Sequence, residues 1–163
     1  MNCPYWVIKG KLAGSCAPRG AKDLETWSKI GIRAVVSLIE EFEFNELGFP
    51  FNNYVEALRR LNIRLLYSPT KDGESPPLDE FMAILKWIDE RVSENEPVLV
   101  HCNAGVGRSP TVIIGYLMFK GYSLKEAYRL VSSVNDKVSL SFTQALALEE
   151  LEKLTRGGRN LAF

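Results

Sequence analysis

Apolar and polar positions change period several times along the chain, and each change marks an element. Residues 5–8 and 11–14 read as two short strands around Gly10. Residues 23–30 repeat at helical spacing and predict a short amphipathic helix, closed by Gly31 at its C-terminus. Residues 33–39 hold Ala34-Val35-Val36 and Leu38-Ile39 and read as a buried strand. A helix over 53–61 and a strand over 63–67 follow. Ser68 to Pro77 is crowded with Pro, Gly and Ser, so it is loop. From Leu78, apolar residues at 78, 81, 82, 85, 88 and 92 give a helix one buried face, and Pro97 stops it. Val98-Leu99-Val100 is short, apolar and β-branched, the profile of a central strand. Residues 110–119 are almost wholly apolar, which places their helix inside the protein. Ser123 and Glu126 predict a capping box for a helix whose inner face carries Ala127, Leu130, Val131 and Val134. A last helix is expected from Phe142 to Leu154, with a tail over 156–163 that frays. Strands alternating with helices, then helices alone, predict one α/β domain over residues 1–155. Its central mixed sheet has four to five strands and helices on both faces.

Composition narrows what such a domain does. Its 163 residues are 46% apolar and 25% charged, ordinary globular values that exclude disorder and fibrous repeats. Twenty basic residues balance twenty acidic ones, so neither nucleic acid nor an anionic membrane is an expected partner. No apolar run approaches a membrane span and no leader pattern opens the chain, so a monomeric cytoplasmic protein is expected. Three cysteines form no CxxC pair and the chain has one histidine, which leaves no basis for a zinc site or any other metal or cofactor. A redox role for Cys3 or Cys16 stays open.

One stretch carries chemistry. Between strand 98–100 and the buried helix lies His101-Cys-Asn-Ala-Gly-Val-Gly-Arg-Ser109. A cysteine leaves a central strand and enters a loop where Gly105 and Gly107 permit tight turns. The amides of Asn103, Ala104, Gly105, Val106 and Gly107 can then converge as an anion nest. The loop runs into a helix N-terminus, and Pro110 fits there because its missing N–H has no partner to lose. Arg108 adds a planar fork suited to phosphate oxygens. Thiols in comparable electropositive sites ionise at roughly 3.5–7.5, so the pattern builds a thiolate under a bound oxyanion. Ser109 can either donate to that sulfur or cap the helix.

This nonapeptide matches the HCx5R[S/T] loop of cysteine-based protein phosphatases position by position. The chain resembles their small dual-specificity members, most of all the compact archaeal and atypical forms. Leu12-Ala-Gly-Ser-Cys-Ala-Pro18, Val35-Val-Ser-Leu-Ile-Glu40 and the loop around Asp72 resemble them more weakly. One departure is that Gly-Arg-Ser is followed by Pro110 rather than glycine, a variant that other dual-specificity enzymes also carry.

The resemblance implies a metal-free hydrolase of phosphate monoesters acting on phosphorylated proteins or peptides. Cys102 is then the nucleophile and residues 103–108 the phosphate cradle, while His101 positions the cysteine backbone. Asp72, thirty residues before Cys102, becomes the general acid, with Glu74 the nearby competitor. A turn aspartate before Gly73 needs no function, however, and that reading stands beside it. Glu40 is expected to orient Arg108 through an ion pair, unless Glu40, Glu41 and Glu43 are only a solvated acidic turn. Gln144 is expected to place the hydrolytic water, unless Ser141-x-x-Gln144 is only a capping box. The same chemistry on a phosphoinositide or an RNA 5′-phosphate is the alternative, and the neutral Asn103, Ala104 and Val106 argue against it. A binding module without catalysis is a further alternative, against which Cys102 stands. A nucleotide-binding phosphate loop is excluded, since no GxxxxGK[ST] occurs.

Overall fold

The computed structural model describes residues 2–161, with side chains described up to residue 155. Its strands are β1 (Tyr5–Ile8), β2 (Leu12–Ser15), β3 (Ala34–Ser37), β4 (Arg64–Tyr67) and β5 (Val98–His101). The helices are α1 (Ala21–Lys29), α2 (Glu41–Glu46), α3 (Phe51–Arg60), α4 (Leu78–Ser93), α5 (Arg108–Phe119), α6 (Leu124–Val134) and α7 (Phe142–Leu161). The expected single α/β domain is what forms, and most predicted boundaries fall within two residues. Two differences matter. Helix α2 arises where an acidic turn was one reading, and α7 continues past Leu154 to Leu161. The expected fraying over 156–163 falls outside the described side chains.

The five strands run in the order β1-β2-β5-β3-β4. Strand β1 is antiparallel to β2, and every other pair is parallel. Parallel strands are covered on both faces, which is why β3 and β5 are buried at every position and carry continuous apolar runs. Ser15, His101 and Ser37 lie side by side at the ends of β2, β5 and β3. The crevice beyond the carboxyl ends of such strands is where open α/β sheets bind ligands. Helix α5 leaves that edge and runs back through the core, buried from Arg108 to Met118. Helices α4, α6 and α7 surround it, while Trp27 of α1, Phe44 of α2 and Tyr54 of α3 gather around His101 on the sheet's other side.

Gly115 sets how closely α4 approaches α5. A Cβ there lies 2.5 Å from the ring of Phe81, which is 1% exposed and has no room to swing away. Gly115→Ala gains about 1 kcal/mol of helix propensity and loses about 1–3 kcal/mol to overpacking. The expected net result is a lower thermal midpoint; a higher one means that Phe81 repacks freely.

Candidate active site

Strand β5 ends at His101, and the buried Cys102 is the first residue beyond it. The loop that follows is held from behind at three carbonyls. Ala17 N–H donates to the Asn103 carbonyl at 2.8 Å, the Asn135 amide to that of Gly105 at 3.0 Å, and Ser139 N–H to that of Val106 at 2.8 Å. Turning the carbonyls out in this way leaves the loop amides facing in, as an anion nest requires. The two glycines serve different ends. Gly105 has φ +79°, and a Cβ on it meets the Cys16 nitrogen at 3.1 Å, so both conformation and space demand glycine. Gly107 has an ordinary negative φ of −124°, and its need is space: a Cβ meets the Gln144 amide at 3.2 Å.

Gly107 takes the cap position of α5, so Ser109 lies inside the helix and its hydroxyl is 3.2 Å from the Cys102 sulfur. Of the two roles open to Ser109, the structure therefore supports the contact to sulfur. His101 is fully buried between Tyr54 and the loop. Its Nδ1 lies 3.1 Å from the Cys102 carbonyl, which only accepts, so Nδ1 carries the proton. Nε2, 2.8 Å from the Tyr54 hydroxyl, then accepts from it. Burial pushes the imidazole down to about 4 and keeps it neutral.

Arg108 is 2% exposed and forks onto a carboxylate, and that carboxylate is Glu43 rather than the expected Glu40. Nη1 and Nη2 donate to the two Glu43 oxygens, each at 2.8 Å, and Nη1 also donates to the Thr70 carbonyl at 2.9 Å. The correction has a local cause. Glu40 stands at the N-cap of α2, and one helical turn on, Glu43 points back to accept from Glu40 N–H at 2.9 Å. It thereby faces the phosphate loop, where the Asn103 side chain also reaches it at 3.2 Å. Burial pushes the Glu43 carboxyl up, but the hydrogen bonds from Arg108, Glu40 and Asn103 outweigh it and hold it below its usual range. Glu43 consumes the end-on fork of the guanidinium. The side-on edge, Nε–H with the second Nη2 proton, remains, and the buried Nε has no hydrogen-bond partner.

Asp72 sits at the mouth, its side chain 88% exposed and its carboxylate 3.6 Å from Arg108 Nε. Glu74, the competitor, is exposed on the same turn, and its amide donates to the Lys71 carbonyl at 3.0 Å. Gln144 makes the predicted capping box with Ser141 and also donates to the Glu74 carbonyl at 3.1 Å. Sequence reasoning missed Glu43, Tyr54 and Thr70. For Glu43 the available signal was the Glu40-x-x-Glu43 spacing, a capping-box pattern at a helix start. Cys3 and Cys16 lie together, with Cys16 N–H 3.1 Å from the Cys3 sulfur; hydrogen bonding from Cys16 lowers the Cys3 thiol to about 6. All three cysteines are free. No cluster of three metal-ligating side chains occurs among the described residues.

The family model described as "Dual specificity phosphatase, catalytic domain" matches residues 17–153. Human dual specificity protein phosphatase 9 is 32% identical over 94% of this chain and 40% of its own length. The phosphatidylglycerophosphate phosphatase PTPMT2 of Arabidopsis thaliana is 27% identical over 82% of this chain and 56% of its own. This chain thus spans roughly half the length, or less, of these curated relatives. Among solved structures, Tk-PTP in its active form superposes with a TM-score of 0.81 at 31% identity, covering 92% of this chain and 96% of that one. PTPMT1 shares the fold at 19% identity, with a TM-score of 0.84 over 96% of this chain and 98% of that one.

Two outcomes test this geometry. Glu43→Gln leaves the Arg108 charge buried without its partner and should cost about 3–5 kcal/mol of stability, whereas Glu40→Gln should cost about 0.5 kcal/mol or less. Equal, small losses in denaturant melts contradict the assignment of Glu43. For the imidazole, an unfolded histidine titrates near 6.5 and the folded one near 4. Between those values the unfolded chain binds the extra proton, so stability falls as pH is lowered from 6.5, by up to roughly 1.4 kcal/mol per unit. The ring resonances of this single histidine should titrate with a midpoint near 4 by NMR. A midpoint at 6.5 means that the buried pairing with Tyr54 is absent.

Proposed function

This chain belongs to the dual-specificity phosphatase family, and from this premise we propose that it is a phosphatase that hydrolyses phosphotyrosine in proteins through a cysteinyl-phosphate intermediate. Phosphoserine and phosphothreonine are secondary substrates in this reading. The observation that carries it is the arrangement of Cys102, the loop with its carbonyls turned out, and an Arg108 whose side-on Nε makes no hydrogen bond and meets only the long ion pair to Asp72.

The reaction runs in two steps. The Cys102 thiolate attacks phosphorus, forming the S–P bond as the ester P–O bond breaks, while the loop amides and Arg108 hold the three non-bridging oxygens. Asp72 gives its proton to the departing oxygen. In the second step Asp72 takes a proton from water, the water oxygen bonds to phosphorus, and the thiolate leaves toward the Ser109 hydroxyl. Arg108 already holds the position that this chemistry needs, because Glu43 and Thr70 fix its far edge. Gln144 donates to the acid loop and accepts from its own helix, so its support for the water step runs through loop position. No step draws on a metal or cofactor.

A second reading has one observation in its favour, the likeness to a phosphatidylglycerophosphate phosphatase. On that reading the substrate is a lipid phosphate monoester. Asn103, Ala104 and Val106 place no cation in the loop to meet further headgroup phosphates, so the protein substrate is preferred. Among the described residues no helix is long and apolar enough to cross a membrane.

The test is turnover of phosphopeptides, inositol phosphates and a short-chain lipid phosphate in EDTA. Phosphotyrosine peptides should have the highest kcat/KM, and loss of all activity on chelation contradicts the mechanism. Cys102→Ser should abolish turnover while retaining vanadate or sulfate, since the nest and Arg108 remain. Arg108→Lys should lose most activity, because an ammonium cannot make the two-pronged contact. Asp72→Asn should slow phosphotyrosine about 10²–10⁴-fold and p-nitrophenyl phosphate much less, because the p-nitrophenolate departs without needing the proton. Equal losses on both substrates remove Asp72 from the acid role.

A further inference from the structure

Asp72 presents a problem of position. Its side chain is 88% exposed, and its nearest cation lies at 3.6 Å, too far for a hydrogen bond. That ion pair with Arg108 Nε, long and at the exposed mouth, holds the carboxyl only loosely. Its placement therefore depends on the backbone of the turn that carries it, Lys71 to Glu74, which is closed by Glu74 N–H donating to the Lys71 carbonyl and passes through Gly73 at φ +84°.

That turn is held by one short stretch ahead of and inside α7. The Ser141 hydroxyl donates to the Gly73 carbonyl at 2.6 Å, and the Gln144 side chain donates to the Glu74 carbonyl at 3.1 Å. The same stretch grips the phosphate loop. Ser139 N–H donates to the Val106 carbonyl at 2.8 Å, and the Gln144 amide packs where Gly107 has no side chain. Within the stretch, Ser141 N–H donates to Gln144 Oε1 at 2.9 Å and Gln144 N–H to Ser141 Oγ at 3.0 Å. The two residues after Asp72 and the two before Arg108 are thus tied to one rigid corner.

We infer that Ser141 is a positioning residue for the general acid, and that its hydroxyl latches the Asp72 turn over the phosphate loop through the Gly73 carbonyl. This rests on the phosphatase reading and adds to it a residue with no contact to the reacting atoms. The hydroxyl does two jobs with different atoms: its oxygen caps α7 by accepting from Gln144 N–H, and its proton goes to Gly73. A capping role alone needs only the oxygen. The proton is what reaches across 68 residues of chain to the acid loop.

The two jobs separate by substitution. Glycine replaces serine at a helix N-cap for only a few tenths of a kcal/mol, yet has no hydroxyl to donate. Ser141→Gly should therefore fold, retain vanadate affinity in a Cys102→Ser background, and lose about tenfold or more in kcat on phosphotyrosine while p-nitrophenyl phosphate changes much less. Ser141→Thr, which keeps the hydroxyl, should restore both rates. In an Asp72→Asn background the glycine substitution should add nothing, because the group that it positions is gone. Hydrogen exchange should rise over residues 71–76 in the glycine variant and stay unchanged over 103–108. Equal losses on the two leaving groups, or a full further loss in the Asp72→Asn background, overturn the latch. The exchange measurement decides independently of chemistry: if Asp72→Asn itself shows no leaving-group dependence, the acid assignment has failed, while faster exchange over 71–76 still supports the latch and unchanged exchange sinks it.

Discussion

Everything at this site is arranged around one buried ion pair. Arg108 at the first position of a core helix and Glu43 on a two-turn helix are both nearly inaccessible, and each charge alone is costly at that depth. Paired end-on they neutralise one another, and the pairing dictates the rest. It pins α2 against the phosphate loop and orients the guanidinium so that its side-on edge faces the basin. The Thr70 carbonyl on Nη1 brings the acid loop's root into the same network. Burial of such a pair is weak evidence for added stability. What it supplies here is direction: an arginine with one edge committed has the other edge fixed in space before any oxyanion arrives. Preorganised donors of this sort need no reorganisation as charge develops.

The sheet supplies a second constraint. Three parallel strands end at one level, so His101 sits at the floor of the crevice and Cys102 just above it. His101 lies under Trp27 at 5.6 Å and beside Tyr54 at 5.7 Å between ring centroids, in a setting that admits no charge. Its neutral form is what allows one nitrogen to donate to the Cys102 carbonyl and the other to accept from tyrosine. The histidine therefore acts as a hydrogen-bonded spacer that sets the direction of the backbone at Cys102. A protonated ring would donate from Nε2 to the Tyr54 oxygen, and the tyrosine proton would lose its acceptor.

What the sequence made legible follows from how local each cause is. The strand 98–101, the buried helix behind it and the loop between them are written in one stretch of chain, and that stretch alone points to Cys102, Arg108 and the carbonyl-out loop. The capping boxes at Ser123 and Ser141 are equally local, each a matter of four residues. The carboxylate for Arg108 was not legible, because it comes from 65 residues away and three glutamates within four positions compete for it. Only the start of α2 decides among them: the residue at the cap is engaged in the capping box, and the one a turn later faces the loop. Tyr54 was hidden for a similar reason, since on α3 it reads as one more apolar-face residue until the sheet register brings His101 beneath it.

The contrast between Arg108 and Asp72 shows how one site divides its rigidity. In the proposed reaction the arginine meets a tetrahedral group whose charge grows at fixed points, and it is buried and forked onto Glu43. In that reaction the carboxyl instead gives up a proton to one oxygen and later takes one from a water on the same side, so it benefits from solvent contact and a loosely held side chain. A fixed turn with a loosely held side chain meets both needs. The turn is anchored through the Gly73 and Glu74 carbonyls to the start of α7, and the two side-chain torsions of the aspartate remain to rotate. The anchors reach the acid loop and the phosphate loop from the same corner, so one stretch of chain, 139–144, sets their spacing, while Ala17 and Asn135 hold the phosphate loop from elsewhere. Loops tied to separate elements would keep their shapes and lose that spacing. In a site where an ångström of misplacement costs about two orders of magnitude, the common anchor is the more consequential feature.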